Sequence, residues 1–347
     1  MACQSDATLE GVCVSSSHVT AGPVDVSVVI CAYTEARWNA LVDAVTSVQR
    51  QSVPPREIIV AVDYNDALLA RVRSALAGVQ AVANQEARGL SGARNSGLRA
   101  ASGALIAFMD DDAIAEVDWL ERLHAQFADQ SIMGVGGAVL PLWQGGRPGW
   151  FPEEFDWVVG CTYRGLPQVA ATVRNLIGAN MCFRREVCES VGGFRSGIGR
   201  VGTKPLGCEE TELCIRAHQL WPYRKFLYEP RAVVHHHVPE PRTRWSYFRS
   251  RCLAEGISKA RVARLVGAGD GLASERTHAL KTLPCGVARA VKDMIFRGDP
   301  SALARAGAIV VGLGITSAGY IAGTLREDGG TVQPPPTGRA AGCSLNE

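Results

Sequence analysis

The run VSVVICA at residues 26–32 is short, apolar at nearly every position and rich in β-branched side chains. These are the marks of a parallel strand buried on both faces, which requires helices on either side of its sheet. The flanking sequence supplies them. Residues 36–51 read as a helix, EIIVAV at 57–62 as a second strand ending at Asp63, 67–76 as a helix and 80–83 as a third strand. A helix entered from glycine follows at 90–101, and then the apolar strand ALIAFM at 104–109. This alternation describes a doubly wound α/β sheet, in which ligands bind beyond the carboxyl ends of the strands. Asp63 and the triplet Asp110, Asp111 and Asp112 stand at such ends.

A second block runs from 132 to 238. It holds a strand at 135–140, a loop rich in Trp, Gly and Pro through Trp143, Trp150 and Trp157, helices starting near Arg184 and Thr211, and a last strand at 232–238. Beyond it come an Arg-rich segment, a polar helix and an apolar tract at 306–325. The expected organisation is a lead-in at 1–23, a catalytic domain at 24–260 whose halves meet at 131/132, a helical extension at 261–327 and a tail at 328–347. Lead-in and tail have the composition of disordered segments.

The 347 residues suffice for a sizeable core, and 36 basic against 34 acidic residues leave a net charge of +2 with no long run of one sign. Nucleic acid is therefore not an expected partner. The eleven cysteines are odd in number, irregular in spacing and without a CxxC pair, so they read as reduced thiols. With no signal-peptide core in the lead-in, the expected location is cytoplasmic.

Three carboxylates after a buried strand raise one another's pKa unless something positive neutralises them. A divalent ion with a diphosphate does so, and hard oxygen ligands favour Mn²⁺ or Mg²⁺. An isolated DDD is as readily a solvated turn capping the next helix. Three further elements give it context. In GLSGARNSG at 89–97 the glycines allow close backbone approach to a ligand, and Arg94 and Asn95 open a helix able to meet an anion. GCEETELCIR at 207–216 puts Glu209 and Glu210 before a helix, although two acids also simply favour a helix N-terminus. In the triplet at 235–237, strand alternation sends His236 to the face opposite its neighbours, where one imidazole can complete a metal site.

In this order CAYTEARW, EIIVAVDYND, GLSGARNSG, FMDDDA, IGANMCFRR, GGF and GCEETELCIR resemble the family 2 glycosyltransferases with the GT-A fold, over residues 26–259. VDYN, EEFDWVVGCTY, RNLIGANM and EGISKA are most similar to the branch containing glucosyl-dolichyl-phosphate glucuronosyltransferases. The resemblance implies a mixed GT-A sheet and an inverting transfer of one sugar from a nucleotide diphosphate, with uracil favoured over guanine as the base, to an acceptor hydroxyl. It places Ala32, Tyr33 and Glu35 around the base, with Asp63 accepting a hydrogen bond from a uracil ring nitrogen. Arg94 and Asn95 border base and phosphates, Asp110 and Asp111 approach the donor, and Asp112 with His236 binds the metal. Glu210 stands where the family has the aspartate of an ED pair, the general base. Here the pair is EE, which leaves the roles of Glu209 and Glu210 open.

The tract 306–325 spans 20 positions without a charge, long enough to cross a bilayer, though five glycines weaken it as an isolated helix and would equally serve close packing. It either meets a membrane at its cytoplasmic face or docks on the catalytic domain. Arg242, Arg244, Arg249 and Arg251, interleaved with Trp245, Tyr247 and Phe248, could hold donor phosphates or a polyprenyl-phosphate-linked glycan acceptor, as could Asn180 of RNLIGANM. Arg244 and Trp245 resemble the end of the QxxRW element of processive synthases, but Pro241 replaces its glutamine. A nucleotidyltransferase and a non-catalytic sugar- or lipid-binding protein are the competing readings. The first would carry a Gly-rich phosphate loop after strand one, which CAYTEARW lacks, and the second needs no base.

Overall fold

A computed structural model of the chain describes Gly22 and residues 24–202 and 205–325. Apart from Gly22, the expected lead-in lies outside the described residues, as does the tail. The first half contains β1 (Val24–Ala32), α1 (Trp38–Gln49), β2 (Pro55–Val62), α2 (Asp66–Ala75), β3 (Gln80–Ala83), α3 (Leu90–Ala100) and β4 (Leu105–Asp110). After it come β5 (Ala113–Ala115), α4 (Trp119–Ala125), β6 (Ile132–Trp143), β7 (Ala171–Val173), β8 (Asn180–Arg184), α5 (Arg185–Ser190), α6 (Glu209–Leu220) and β9 (Lys225–Val238). The C-terminal part is helical: α7 (Trp245–Val266), α8 (Ala268–Gly271), α9 (Ala273–Thr277), α10 (Leu283–Arg297) and α11 (Ser301–Leu325).

The strands form one mixed sheet in the order β3-β2-β1-β4-β8-β6-β9-β5, with β7 also paired to β9. β3, β2, β1 and β4 are mutually parallel; β8 runs antiparallel to both β4 and β6, and β6 is parallel to β9. Alternation along β1 serves two cores. Val28 and Ile30 pack with Leu41, Val45 and Val48 of α1, whereas Val29 faces Ala93 and Leu98 of α3 and Leu213 and Cys214 of α6. Two helices far apart in sequence, α3 and α6, thereby share one face of the sheet. This brings Arg94 to Glu209.

The sequence anticipates β1 to β4 and their helices within a few residues. It misses β5 and β7, which are three residues long and too short to show a period, as well as β8 and α4. The expected domain end at 260 falls inside α7, which continues to Val266. α11 lies along α7 at very close range: a Cβ on Gly256 would stand 2.1 Å from the Thr316 carbonyl oxygen, and one on Gly319 2.3 Å from that of Leu253. Small residues at a helix crossing permit this approach. The eight described cysteines are all free thiols.

Candidate active site

β4 delivers Asp110 at its end and Asp111 and Asp112 in the following turn. The short pairing of β5 with β9 sets Ala113 opposite His236, and the His237 amide donates to the Asp112 carbonyl at 2.8 Å. This register carries His236 inward, its Nε2 3.0 Å from Asp112 Oδ1, while His235 turns outward to Glu116. The second Asp112 oxygen faces Arg37 Nη1 at 3.1 Å and Arg242 Nη2 at 3.3 Å. Burial opposes ionisation of Asp112, but His236, Arg37 and Arg242 outweigh it and hold the carboxyl well below the usual carboxylate range. Asp111 differs. Burial and the Asp112 charge push its carboxyl up to about 7, although Arg37 donates to its Oδ1 at 2.8 Å. Asp111 Oδ2 is buried without a partner, an acceptor open to a ligand donor.

Ligand atoms of Asp110, Asp112 and His236 lie within 4.8 Å of one another. Two carboxylates and an imidazole suit Mn²⁺ or Mg²⁺ with diphosphate oxygens completing the shell, so these residues fit the expected ion. Asp110, expected only at the donor, is part of this group.

The second carboxylate pair opens α6. Cys208, just before it, has a left-handed backbone (φ 74°), a conformation a non-glycine residue adopts at a cost and one that concentrates at functional sites. The other non-glycine residue of this kind among those described is Tyr64, directly after Asp63. Glu209 is buried and bound through Oε1 to Arg94 Nη1 at 2.7 Å, while its Oε2 has no partner. Arg94, 2% exposed, also donates to the Gly178 carbonyl at 3.0 Å and approaches Asp110 at 3.5 Å. Glu210 is partly exposed and accepts from the Thr211 hydroxyl at 3.4 Å. Enclosure by the protein and the Glu209 charge push its carboxyl up to about 7, against the pull of Arg94. Thus Glu209 is tied down, and Glu210 is left with a proton affinity suited to a base near neutrality.

Ala32, Tyr33, Glu35 and Asp63 cluster beyond β1 and β2. Ala32 is buried, Glu35 exposed, and the Tyr33 ring lies under the Arg37 guanidinium at 5.4 Å. Asp63 is bound by the Gly89 amide, 3.1 Å from each oxygen, and by Asn84 Nδ2 at 2.7 Å.

Several sequence assignments need correction. The guanidinium of Arg94, expected at base and phosphates, is bonded to Glu209 and the Gly178 carbonyl and stands 3.5 Å from Asp110. Asn95 is buried and holds both the amide and the carbonyl of Phe194 at 2.8 Å. The glycines of GLSGARNSG accommodate the protein itself: a Cβ on Gly92 would stand 2.0 Å from the Ala87 carbonyl oxygen, and one on Gly97 2.3 Å from Val29 Cγ1. Asn180 is fully buried between the Ala138 and Ala232 carbonyls, each 2.9 Å away, and Trp119 Nε1 at 2.8 Å. It joins strands and cannot reach an acceptor. Arg244 is exposed and pairs with Glu240 at 3.2 Å, while Trp245 stacks on Phe248. Of the four arginines grouped there, Arg242 faces the site. Arg37 was missed, and its one signal is its place in the loop after a buried strand, six residues beyond Cys31.

Comparison with known proteins agrees with this geometry. Residues 27–192 match the family described as Glycosyl transferase family 2. A glucosyl-dolichyl phosphate glucuronosyltransferase of Haloferax volcanii is 37% identical over 238 residues, covering 67% of this chain and 76% of that protein. The glycosyltransferase AglE of the same organism is 30% identical over 179 residues, 49% of this chain and 55% of its own. Among solved structures, the mannosyltransferase PcManGT from Pyrobaculum calidifontis, in complex with GDP-Man and Mn²⁺, superposes with a TM-score of 0.55 at 18% identity, over 87% of this chain and 86% of that one. That likeness concerns the fold. The sheet order, the carboxylates at its strand ends and these relatives together make the chain a family 2 glycosyltransferase of the GT-A fold, related to the branch of the glucosyl-dolichyl-phosphate glucuronosyltransferase and AglE.

Proposed function

We propose that the protein transfers a single sugar, with inversion, from a UDP-sugar to a hydroxyl of a lipid-linked or cell-envelope glycan. The observation that carries this reading is the unequal pair at the start of α6, where Arg94 is bonded to Glu209 and the Glu210 carboxyl is pushed up to about 7. Glu210 takes the proton of the acceptor hydroxyl as that oxygen bonds to the anomeric carbon. The bond from that carbon to the diphosphate breaks on the opposite face, so one displacement inverts the centre. A divalent ion held by Asp110, Asp112 and His236 would stabilise charge on the departing diphosphate. Arg37 and Arg242 keep Asp112 ionised for it. Asp63 and Tyr33 receive the base, and Asp111 Oδ2 the ribose. A lipid-linked acceptor is favoured by the resemblance to the glucuronosyltransferase, whose name states glucosyl-dolichyl phosphate, and UDP by the expected pairing of Asp63 with a uracil ring nitrogen.

α11 supports work at a membrane surface, being 25 residues long with mean hydropathy 1.7 and only 28% of its apolar window buried. One face is docked on α7 through Gly319 and Gly323, leaving Leu303, Val310, Val311, Ile321 and Leu325 exposed. A docked helix with an apolar outer face suits contact with a bilayer better than a crossing. The test is slow hydrolysis of a panel of nucleotide sugars by purified protein with Mn²⁺. UDP-sugars are expected to turn over fastest, and a preference for GDP-sugars would overturn the choice of base.

A further inference from the structure

Beside Glu210 lies a pair of cations that the transfer reaction, as described, does not use. Arg174 follows β7, and Lys259 sits on α7 with its side chain 12% exposed. Both converge on one carboxylate from the C-terminal helices. The Arg174 nitrogens Nη1 and Nη2 meet the two oxygens of Glu275 at 2.6 and 2.8 Å, and Lys259 Nζ stands 2.8 Å from Oε1. Glu275, on the five-residue α9, is the outermost of the three, 29% exposed against 15% for Arg174. It closes the cation pair from the solvent side. Arg174 Nη1 also donates to the carbonyls of Asp270 and Gly271 at 3.3 and 3.2 Å, holding the α8–α9 turn in place.

The pair adjoins the proposed base. Lys259 is 3.4 Å from Glu255 Oε1, which is 3.4 Å from the thiol of Cys208, the residue before Glu209 and Glu210. The Lys259 charge is among those acting on Glu210. A guanidinium fork and an ammonium aimed at one point fit the oxygens of a phosphate better than a neutral sugar hydroxyl. Arg244, the acceptor-phosphate ligand expected from sequence, stands instead in solvent.

We propose that Arg174 and Lys259 are the site for a phosphate group of the acceptor, and that Glu275 covers this site until the acceptor displaces it. The proposal rests on Glu210 marking the acceptor side, but its central claim is read without turnover. Burial opposes ionisation of Glu275, yet Lys259 and Arg174 bring its carboxyl down to about 2, so at neutral pH a full carboxylate competes with the incoming phosphate.

The test uses the full chain, without metal, titrated with inorganic phosphate in a calorimeter. Glu275→Gln is expected to bind phosphate at least about 10-fold more tightly than the unaltered protein, since a neutral amide no longer competes. Adding Lys259→Met should remove the gain, and Glu275→Asp should not show it. A folded Glu275→Gln protein with no gain, or a gain that survives Lys259→Met, overturns the proposal. Hydrogen exchange on the unaltered protein decides the matter independently, should Glu275→Gln not fold. Saturating phosphate is expected to speed amide exchange at residues 268–277, and unchanged exchange there counts against displacement. Sugar transfer unslowed in Glu210→Gln, with the phosphate gain of Glu275→Gln intact, would instead fault the reading of Glu210.

Discussion

Two places in the molecule set adjacent carboxylates side by side, and they are neutralised differently. At the end of β4, Asp111 and Asp112 face the guanidinium groups of Arg37 and Arg242 and the imidazole of His236. At the start of α6, Glu209 and Glu210 share Arg94, whose direct bond goes to Glu209 alone. In each pair one acid is pushed up to about 7, while its neighbour is bonded directly to a cation. The difference lies in what surrounds the raised member. Asp111 is bonded to Arg37 and suits a ligand that brings hydrogen-bond donors, whereas Glu210 is nearly free of protein partners and suits a proton. Equal sequence patterns thus acquire separate chemistry from the arginines that reach them.

The largest expected effect comes from the first pair. Asp112→Asn removes the charge on which His236, Arg37 and Arg242 converge, and with it an oxygen ligand for the ion. Transfer should fall below detection, with circular dichroism unchanged. The same loss should follow chelation of the intact protein. Full turnover in excess chelator would break the contrast, since the first pair would then have no distinct task.

Exchanging the acids of the second pair separates stability from chemistry. Glu210→Gln keeps size and hydrogen bonding but cannot take the proton, so kcat should drop about 100-fold or more with donor affinity retained. Glu209→Gln leaves the buried Arg94 with only the more distant Asp110 as counter-charge, and the expected cost is about 3 kcal/mol of stability, seen as a lower denaturation midpoint with a smaller loss of rate. Reversed results would make Glu209 the base. If neither change slows transfer, the inverting mechanism fails.

The two pairs were not equally legible in the sequence. DDD after ALIAFM and EE before a helix were visible, because strand and helix periods fix where an element ends. Alternation along β9 also sufficed to pick His236 from its triplet. Which acid is tied down could not be read, because the deciding contacts join residues far apart in the chain, Arg37 with Asp111 and Arg94 with Glu209. Arg94 and Asn180 looked like ligand contacts for a related reason. A polar side chain that binds two elements together and one that faces a ligand carry the same sequence signature, and only burial tells them apart. Arg174 opens RNLIGANM and Lys259 stands in EGISKA, but nothing in the sequence joins them to each other or to Glu275.

The smallest expected effect tests whether Glu210 is raised at all. An acid whose folded pKa is near 7, against an ordinary value of 4.5, binds its proton more tightly in the folded than in the unfolded chain. It therefore lowers stability progressively as pH rises from about 4.5 to about 7, and fully above that. Glu210→Gln removes the ionising group and should stabilise the protein at pH 8, with no gain at pH 4. Part of the shift is screened because the side chain is partly exposed, and the glutamine also gives up a charge placed well for the first turn of α6. The net gain at pH 8 should thus be about 1 kcal/mol, or about 2 °C in Tm for a chain of this size. A gain of the same size at both pH values would point to packing, not charge. A loss at pH 8 would mean that Glu210 is stabilised as a carboxylate, as Asp112 is, and the contrast between the two pairs would disappear.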